Sequence, residues 1–415
     1  MSNSILNLDI ILLKALDLFK NTNSFIKHIN QQYDNSFSLG GAKGGTQIRI
    51  RLPNDYTVTD GPGLSVQDTA ESNTTLVMAT QRHVDVAFTS VELTMKLDEF
   101  SELILAPMVN NLIGNVAATI MGGAAGGAAS FVANTDSNGN IISPNDKTYL
   151  AAGAALGNYS APKEKRKVVN SLQTNANVVS SLSGLFNPQQ QIADQYKNGE
   201  MGPRALNFEW FEDQTILNHT VGSFTAGTVN GAGQVGSRQG QVLNVNAITG
   251  TLNIGDVITI SGVNAVNLVT KSTQGKLRQF VVTAAAASGA TTISIYPGII
   301  APATVTVPAT TLQYQTTDSL PVNGATISLA AGQVAGGIYS AKLAFAPQAI
   351  TMASADLVMP KDGVVDSARH VYDNLSMRMI TGYLMGTDQE ATRLDILFGY
   401  KFLRPEWVCI VPDVP

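Results

Sequence analysis

The feature that most constrains this chain is a long stretch with almost no charge. From 226 to 340 the Lys, Arg, Asp and Glu residues are Arg238, Asp256, Lys271, Lys276, Arg278 and Asp318, and Thr, Val, Ala and Gly dominate the rest. β-Branched side chains crowd a helix but pack well on a pleated sheet. Runs of alternating apolar and polar residues recur at 241–245, 257–260, 279–283, 292–296 and 304–307, each bounded by Gly, Pro or Asn. Such spacing predicts a small all-β barrel or sandwich over 226–336. Mixed helix and strand patterns lie on both sides, with strands expected around Leu343 and Phe345 and over 392–398. The β module therefore reads as an insertion into a host fold of the α+β class.

Upstream, Ile5, Leu8, Leu12, Leu16 and Phe19 recur near a 3.6-residue period, which predicts an amphipathic helix over 5–29 within an N-terminal arm, 1–44. Ile48, Ile50 and Leu52 then alternate with Arg49 and Arg51. Turn signals at Pro53-Asn54 and Asp60-Gly61-Pro62-Gly63 lead to a second alternating run ending at Phe88. Residues 45–88 thus predict one long polar β-hairpin. With few large apolar side chains of its own, such an arm needs another molecule to lie on. Thr89-Ser90-Val91-Glu92 has capping-box spacing. A helix is expected to follow, its stripe marked by Leu93, Leu97, Phe100, Ile104, Met108, Leu112, Val116 and Ile120, and the glycine run 122–127 to end it. Residues 168–202 read as helical with breaks, 207–211 as a strand. In this scheme 89–225 holds the long helix and part of the core, and 337–415 returns to it.

Residues 103–135 carry no charge and show GxxxG spacing, yet Pro107, Asn110, Asn111 and Asn115 are costly in hydrocarbon. A helix buried in protein is the better account, with no membrane partner. The N-terminus lacks the basic start of a secretory signal, so synthesis and assembly in the cytoplasm are expected.

Chemistry is sparse. One cysteine, Cys409, excludes an intrachain disulfide, and His28, His83, His219 and His370 have no metal-binding spacing. Gly231-Ala-Gly233-Gln-Val-Gly236 is a literal GxGxxG with Asp256 following, but no strand–turn–helix pattern surrounds it. Gly41-Ala-Lys43-Gly44 lacks P-loop spacing, and no GxSxG occurs. Cys409 reads as a packed side chain. Asp98-Glu99, Glu209 and Glu212 read as solvated or capping groups. The basic run 163–167 reads as a solvated helix start rather than a nucleic-acid contact. Catalytic, cofactor-binding and metal-ligating residues are each expected to be none, and no cofactor or small-molecule substrate is implied. With 26 basic and 31 acidic residues the chain is not built to grip phosphate. Charged residues make up 14%, against roughly 25% in an average soluble protein, so the surface is expected to spend its life packed against copies or partners.

Taken in order, segments along the chain resemble the major capsid (coat) proteins of tailed double-stranded DNA bacteriophages, specifically the Salmonella podophage coat type with an inserted β domain. The segments are 45–54 with 57–61; 84–100 with Glu92-Leu93-Thr94 and Leu97-Asp98-Glu99-Phe100; 199–202; His219-Thr-Val-Gly222; Gly255-Asp256-Val257 with 262–267; Leu343-Ala-Phe345; 393–399; and Arg404-Pro405-Glu406. The resemblance implies a Hong Kong 97-like fold with an N-terminal arm, an extended loop over 45–88, a spine helix within 89–121, peripheral and axial domains, and the insertion over 226–336. It implies a non-enzymatic subunit of an icosahedral virion shell, arranged as pentamers and hexamers around the genome without sequence-specific DNA binding. Scaffolding and portal proteins would be its partners, with decoration proteins as a further candidate class. A competing reading, a phage or cell-surface adhesin using the Thr-rich β module, leaves the long helix and the arm unexplained.

Overall fold

The computed structural model describes residues 12–13, 15–16, 24–33, 47–52, 55–56, 58, 61–64, 66, 73–89, 106–181, 204–302, 313–360, 364–372 and 375–415. Ser90–Glu92 of the capping box, the stripe from Leu93 to Ile104, the expected strand at 304–307, the glycines 40–45 and the helical pattern beyond Ser181 lie outside them. Two units emerge: 1–51 with 73–120 and 350–403, and 52–72 with 121–349 and 404–415.

In the first unit, the long strand Gln389–Phe402 organises a six-stranded sheet. Leu375–Leu384 pairs antiparallel with it, and Asp366–Tyr372 continues beyond. Ile350–Ala355 pairs along its C-terminal half, and Asn30–Tyr33 lies parallel to Ile350–Ala355 at that edge. Gln47–Arg51 and Asn73–Val77 form the expected polar hairpin. The hairpin stops there, however. Thr80–Thr89 pairs with Gln389–Phe402 from Thr80↔Phe398 to Thr89↔Gln389, so 80–88 is sheet and not arm. The alternation of Val84, Val86 and Phe88 suits either role, and a partner more than 300 positions away decides it. Leu76, Met78, Ala353 and Ala355 are buried together against Ile48, Ile50 and Leu397. Leu12 and Leu16 of the N-terminal stripe are fully buried.

The helix Ala106–Gly127 carries Pro107 in its first described turn, where proline is tolerated, and buries Met108, Leu112, Val116 and Ile120 as the stripe requires. It continues through the whole glycine run before stopping. The reason is packing: a Cβ at Gly122 would sit 2.9 Å from Leu217 Cδ1, and one at Gly126 2.8 Å from Ile254 Cγ2. Among the described residues no helix is long and apolar enough to cross a membrane.

In the second unit, one mixed sheet runs Ser130–Phe131, Val408–Asp413, Ile338–Phe345, Lys167–Asn170 and Glu209–Glu212, with Asn218–Thr220 also on Ile338–Phe345. Residues 168–170 are thus strand rather than helix; Leu172–Ser181 is the helix. The helix Asp146–Asn158 begins with a capping box between Asn145 and Thr148 and buries Tyr149, Ala152 and Leu156 against this sheet's Val168, Ala344, Cys409 and Val411.

The β module is a six-stranded antiparallel sheet in the order Gly227–Thr228, Thr326–Leu329, Val257–Val266, Thr273–Val282, Thr292–Tyr296, Gln241–Asn244. Bridges Ala226↔Thr249 and Val229↔Val245 join its two edges, closing a barrel around Leu243, Ile258, Ile260, Phe280, Ile293 and Ile327. Four of the five expected strands match described strands. Gly255, at φ +101°, lies so near the end of the long helix that a Cβ would be 2.7 Å from that of Ala125.

Candidate functional site

The second unit holds a basin of about 380 Å³ lined by residues from six separate segments. Each lining cation is placed by a local turn. The turn Ser237–Gly240, closed by hydrogen bonds in both directions and by Gly240 at φ +125°, presents Arg238. Its guanidinium lies 5.2 Å from the Tyr314 ring centroid and 3.4 Å from the Asp55 carboxylate. Asn267 Oδ1 accepts from the N–H groups of Val269 and Thr270, an Asx turn that raises Lys271 at φ +56°. Lys271 Nζ donates to the Gln313 carbonyl at 2.8 Å. Arg404 precedes the short turn Pro405–Trp407 and stacks on Trp407 at 4.3 Å, while Trp407 Nε1 donates to the Tyr159 carbonyl at 3.0 Å. The Tyr296 hydroxyl donates to Glu406 Oε1 at 2.8 Å.

Tyr159 lines the basin, and Arg278 lies 4.2 Å from its ring centroid. Arg278 is fully buried, and its Nε, Nη1 and Nη2 find no acceptor among the described residues. A guanidinium in that state keeps its field without a local counter-charge. Around the basin four cations (Arg238, Lys271, Arg278, Arg404) thus face two carboxylates (Asp55, Glu406), in a chain whose net charge is −5. Burial pushes the Lys271 ammonium below its ordinary value, Asp55 opposes that, and Arg238 adds to it. Arg404 is lowered by burial and by Arg238. Burial and the neighbouring Glu406 hold the Tyr296 hydroxyl well above the usual phenol range. Chemically the basin can hold an anionic group with an apolar body; it has no paired nucleophile and base.

The residues singled out from sequence lie elsewhere and hold structure. Asp256 is fully buried: Oδ1 lies 2.9 Å from His219 Nε2, and Oδ2 accepts from the N–H groups of Gly222 and Asn253. It ties down the place where the chain enters the barrel. Gly231 and Gly233 occupy a loop at positive φ, with strands rather than a βαβ unit around it. The basic run is a turn leading into a strand, not a helix start, and Arg166 within it is buried, donating to the carbonyls of Pro162, Gly153 and Ala161. Lys167 pairs with Glu209 at 3.5 Å, and Asn175 donates to Glu212. Cys409 is fully buried, its thiol pushed up to about 12. No group of metal-ligating side chains occurs among the described residues.

Sequence reasoning missed the basin, yet a signal was present. Of the six charges kept in the nearly neutral stretch 226–340, four are basic, and Arg238, Lys271 and Arg278 converge here.

The sequence profile of a family described as P22 coat protein, gene protein 5, matches residues 41–411. No curated protein matches the chain. Among solved structures, a chain of Mycobacterium phage Che8 is similar at 11% identity over 93% of this chain and 90% of that one, with a TM-score of 0.46. A capsid chain of Cyanophage P-SCSP1u gives 10% identity, 94% and 88% coverage and 0.45. The CUS-3 coat protein I-domain gives 24% identity over 26% of this chain and 96% of that one, with a TM-score of 0.21.

Proposed function

The chain belongs to the P22 coat protein family, and from that membership we infer how it works as a structural subunit of a phage capsid. It has the α+β, Hong Kong 97-like fold of such subunits and is a component of the virion. The adhesin alternative finds no support. The single observation that carries this reading is the family match across 41–411.

On our reading the subunit forms pentamers and hexamers, assembles in the host cytoplasm with scaffolding and portal proteins, with decoration proteins as a further candidate class of partner, and encloses DNA without reading its sequence. It performs no catalysis. The division into an arm (1–44), a loop (45–88, of which 80–88 lies in the sheet), a helix-bearing core (89–225), an inserted barrel (226–336) and a returning core (337–415) belongs to the same proposal, with the barrel as a brace. A shell closes because many modest contacts act together, so each subunit needs several weak surfaces rather than one strong one. An acidic subunit also avoids gripping the genome so tightly that its movement stalls.

Negative-stain electron microscopy of the protein, expressed alone and with its neighbouring genes, tests the reading. Closed shells of uniform size, or tubes and spirals from the protein alone, are expected. Small discrete oligomers that never assemble, even with the neighbouring genes, would overturn it.

A further inference from the structure

The basin has an excess of positive charge, aromatic walls and an exposed apolar rim in which Val58 is 93% and Val269 70% exposed. The chain also carries a feature of the opposite character. Strands Leu375–Leu384 and Gln389–Phe402 are joined by the turn 385–388, and Leu384↔Gln389 is their last pair. At this tip Tyr383 and Leu384 are half exposed and Met385 is 89% exposed. The Tyr383 hydroxyl donates to Asp388 Oδ1 at 2.6 Å, fixing an exposed carboxylate beside the apolar cap, and Glu390 follows opposite Tyr383. An exposed Met that follows two half-exposed apolar side chains is a poor surface for a free subunit and a good one against aromatic rings.

We propose that the basin receives the Tyr383–Glu390 hairpin tip of a second copy of this chain, with Asp388 and Glu390 meeting Arg238, Lys271 and Arg404, and Leu384 and Met385 lying on Tyr56 and Trp407. The proposal rests on the shell-subunit reading. It is argued from charge complementarity: subunits of net charge −5 repel at long range, and a local positive basin opposite a carboxylate-bearing tip sets both attraction and register. The uncompensated Arg278 beneath Tyr159 adds to the attraction without touching the tip.

Two experiments on the full chain test it. In the first, Arg404→Glu and Asp388→Lys are made singly and together. Each alone should lower particle yield by about tenfold, the scale of losing one close interfacial charge pair, and the pair should recover it. Failure of the pair to recover yield, with each variant's circular dichroism unchanged, overturns the proposal. If Arg404→Glu particles form normally but lose their DNA, the basin meets nucleic acid and the proposal is overturned. The second experiment leaves every charge in place. Val58→Cys with Met385→Cys, treated with a short bismaleimide, should give covalent dimers and a ladder of higher species in assembled particles, and neither single variant should. Well-formed particles without a ladder overturn the proposal. The unsubstituted chain separates the two readings: if it forms no particles at all, the shell reading itself has failed.

Discussion

The Arg278 guanidinium stacks 4.2 Å from the ring centroid of Tyr159, fully buried, with no hydrogen-bond acceptor among the described residues. The ring face recovers part of the cost of desolvating the charge, but not the lost hydrogen bonds. Arg278→Met keeps the length and apolar stem and removes the buried charge. It should leave the subunit's urea-unfolding midpoint unchanged or raise its stability by about 1–3 kcal/mol. Tyr159→Ala should instead cost about 3–5 kcal/mol, because it opens a cavity and uncovers the cation.

Two ion pairs on the strand Gln389–Phe402 should behave very differently. Asp395 is fully buried and accepts from Arg378 Nε at 3.0 Å, Arg378 Nη2 at 2.6 Å and Gln81 Nε2 at 3.0 Å. Asp395→Asn leaves a mostly buried guanidinium, 13% exposed, without its counter-charge and should cost about 3 kcal/mol. Asp85 and Arg393, opposite each other and about half exposed, form a similar pair at 2.8 Å. There Asp85→Asn should cost under about 1 kcal/mol and the effect should shrink in high salt. Denaturation of both variants at two salt concentrations checks the contrast.

The barrel carries an acid-sensitive clasp. Burial alone would raise the Asp318 carboxyl, but hydrogen bonds from the Asn264 side chain and backbone, Ser319 and Thr273 outweigh it and hold the group below the ordinary carboxylate range. A carboxyl lowered by folding gives stability that is fully present above its unfolded value and lost as pH falls through the native one. Unfolding midpoints should therefore fall below about pH 4, and Asp318→Asn should lower stability at neutral pH while flattening that acid limb. An unchanged slope in the variant would reject the assignment.

Cys409 lies between Val408 and Ile410 on a strand of the mixed sheet, with its thiol raised to about 12 by burial. Thiolate, the reactive form, is then negligible at neutral pH. A thiol reagent such as DTNB should leave the folded protein unlabelled and react fully in urea.

How far these features could be read from the chain depended on how local their causes are. The barrel strands were legible because alternation and flanking turn residues lie within each segment. Thr292–Tyr296 matches its expected bounds at both ends. The fate of 80–88 was not legible, since its alternation fits a free arm and a sheet strand equally and only pairing with Gln389–Phe402 distinguishes them. Arg166 looked solvated because its acceptors are backbone carbonyls, which have no sequence signature. The glycine run stays helical because of what packs on it, Leu217 and Ile254, and neither is near it in sequence. The basin needed six segments to meet, so the sequence could show its ingredients but not their convergence.

The two strands that carry the chain into and out of the barrel lie side by side: His219 is paired with Tyr339, Val221 N–H donates to Gly337 O at 2.9 Å, and Gly336 N–H to Gly222 O at 3.0 Å. Were the intervening hundred-odd residues an unstructured loop, bringing those ends together would cost about 4 kcal/mol in closure entropy, by the (3/2)RT ln n scaling. A folded barrel holds its own ends at pairing distance and removes most of that cost. The ladder between Asn218–Thr220 and Ile338–Phe345 is thus conditional: it forms cheaply once the barrel has closed, and opening the barrel returns the entropic load to the sheet it is joined to.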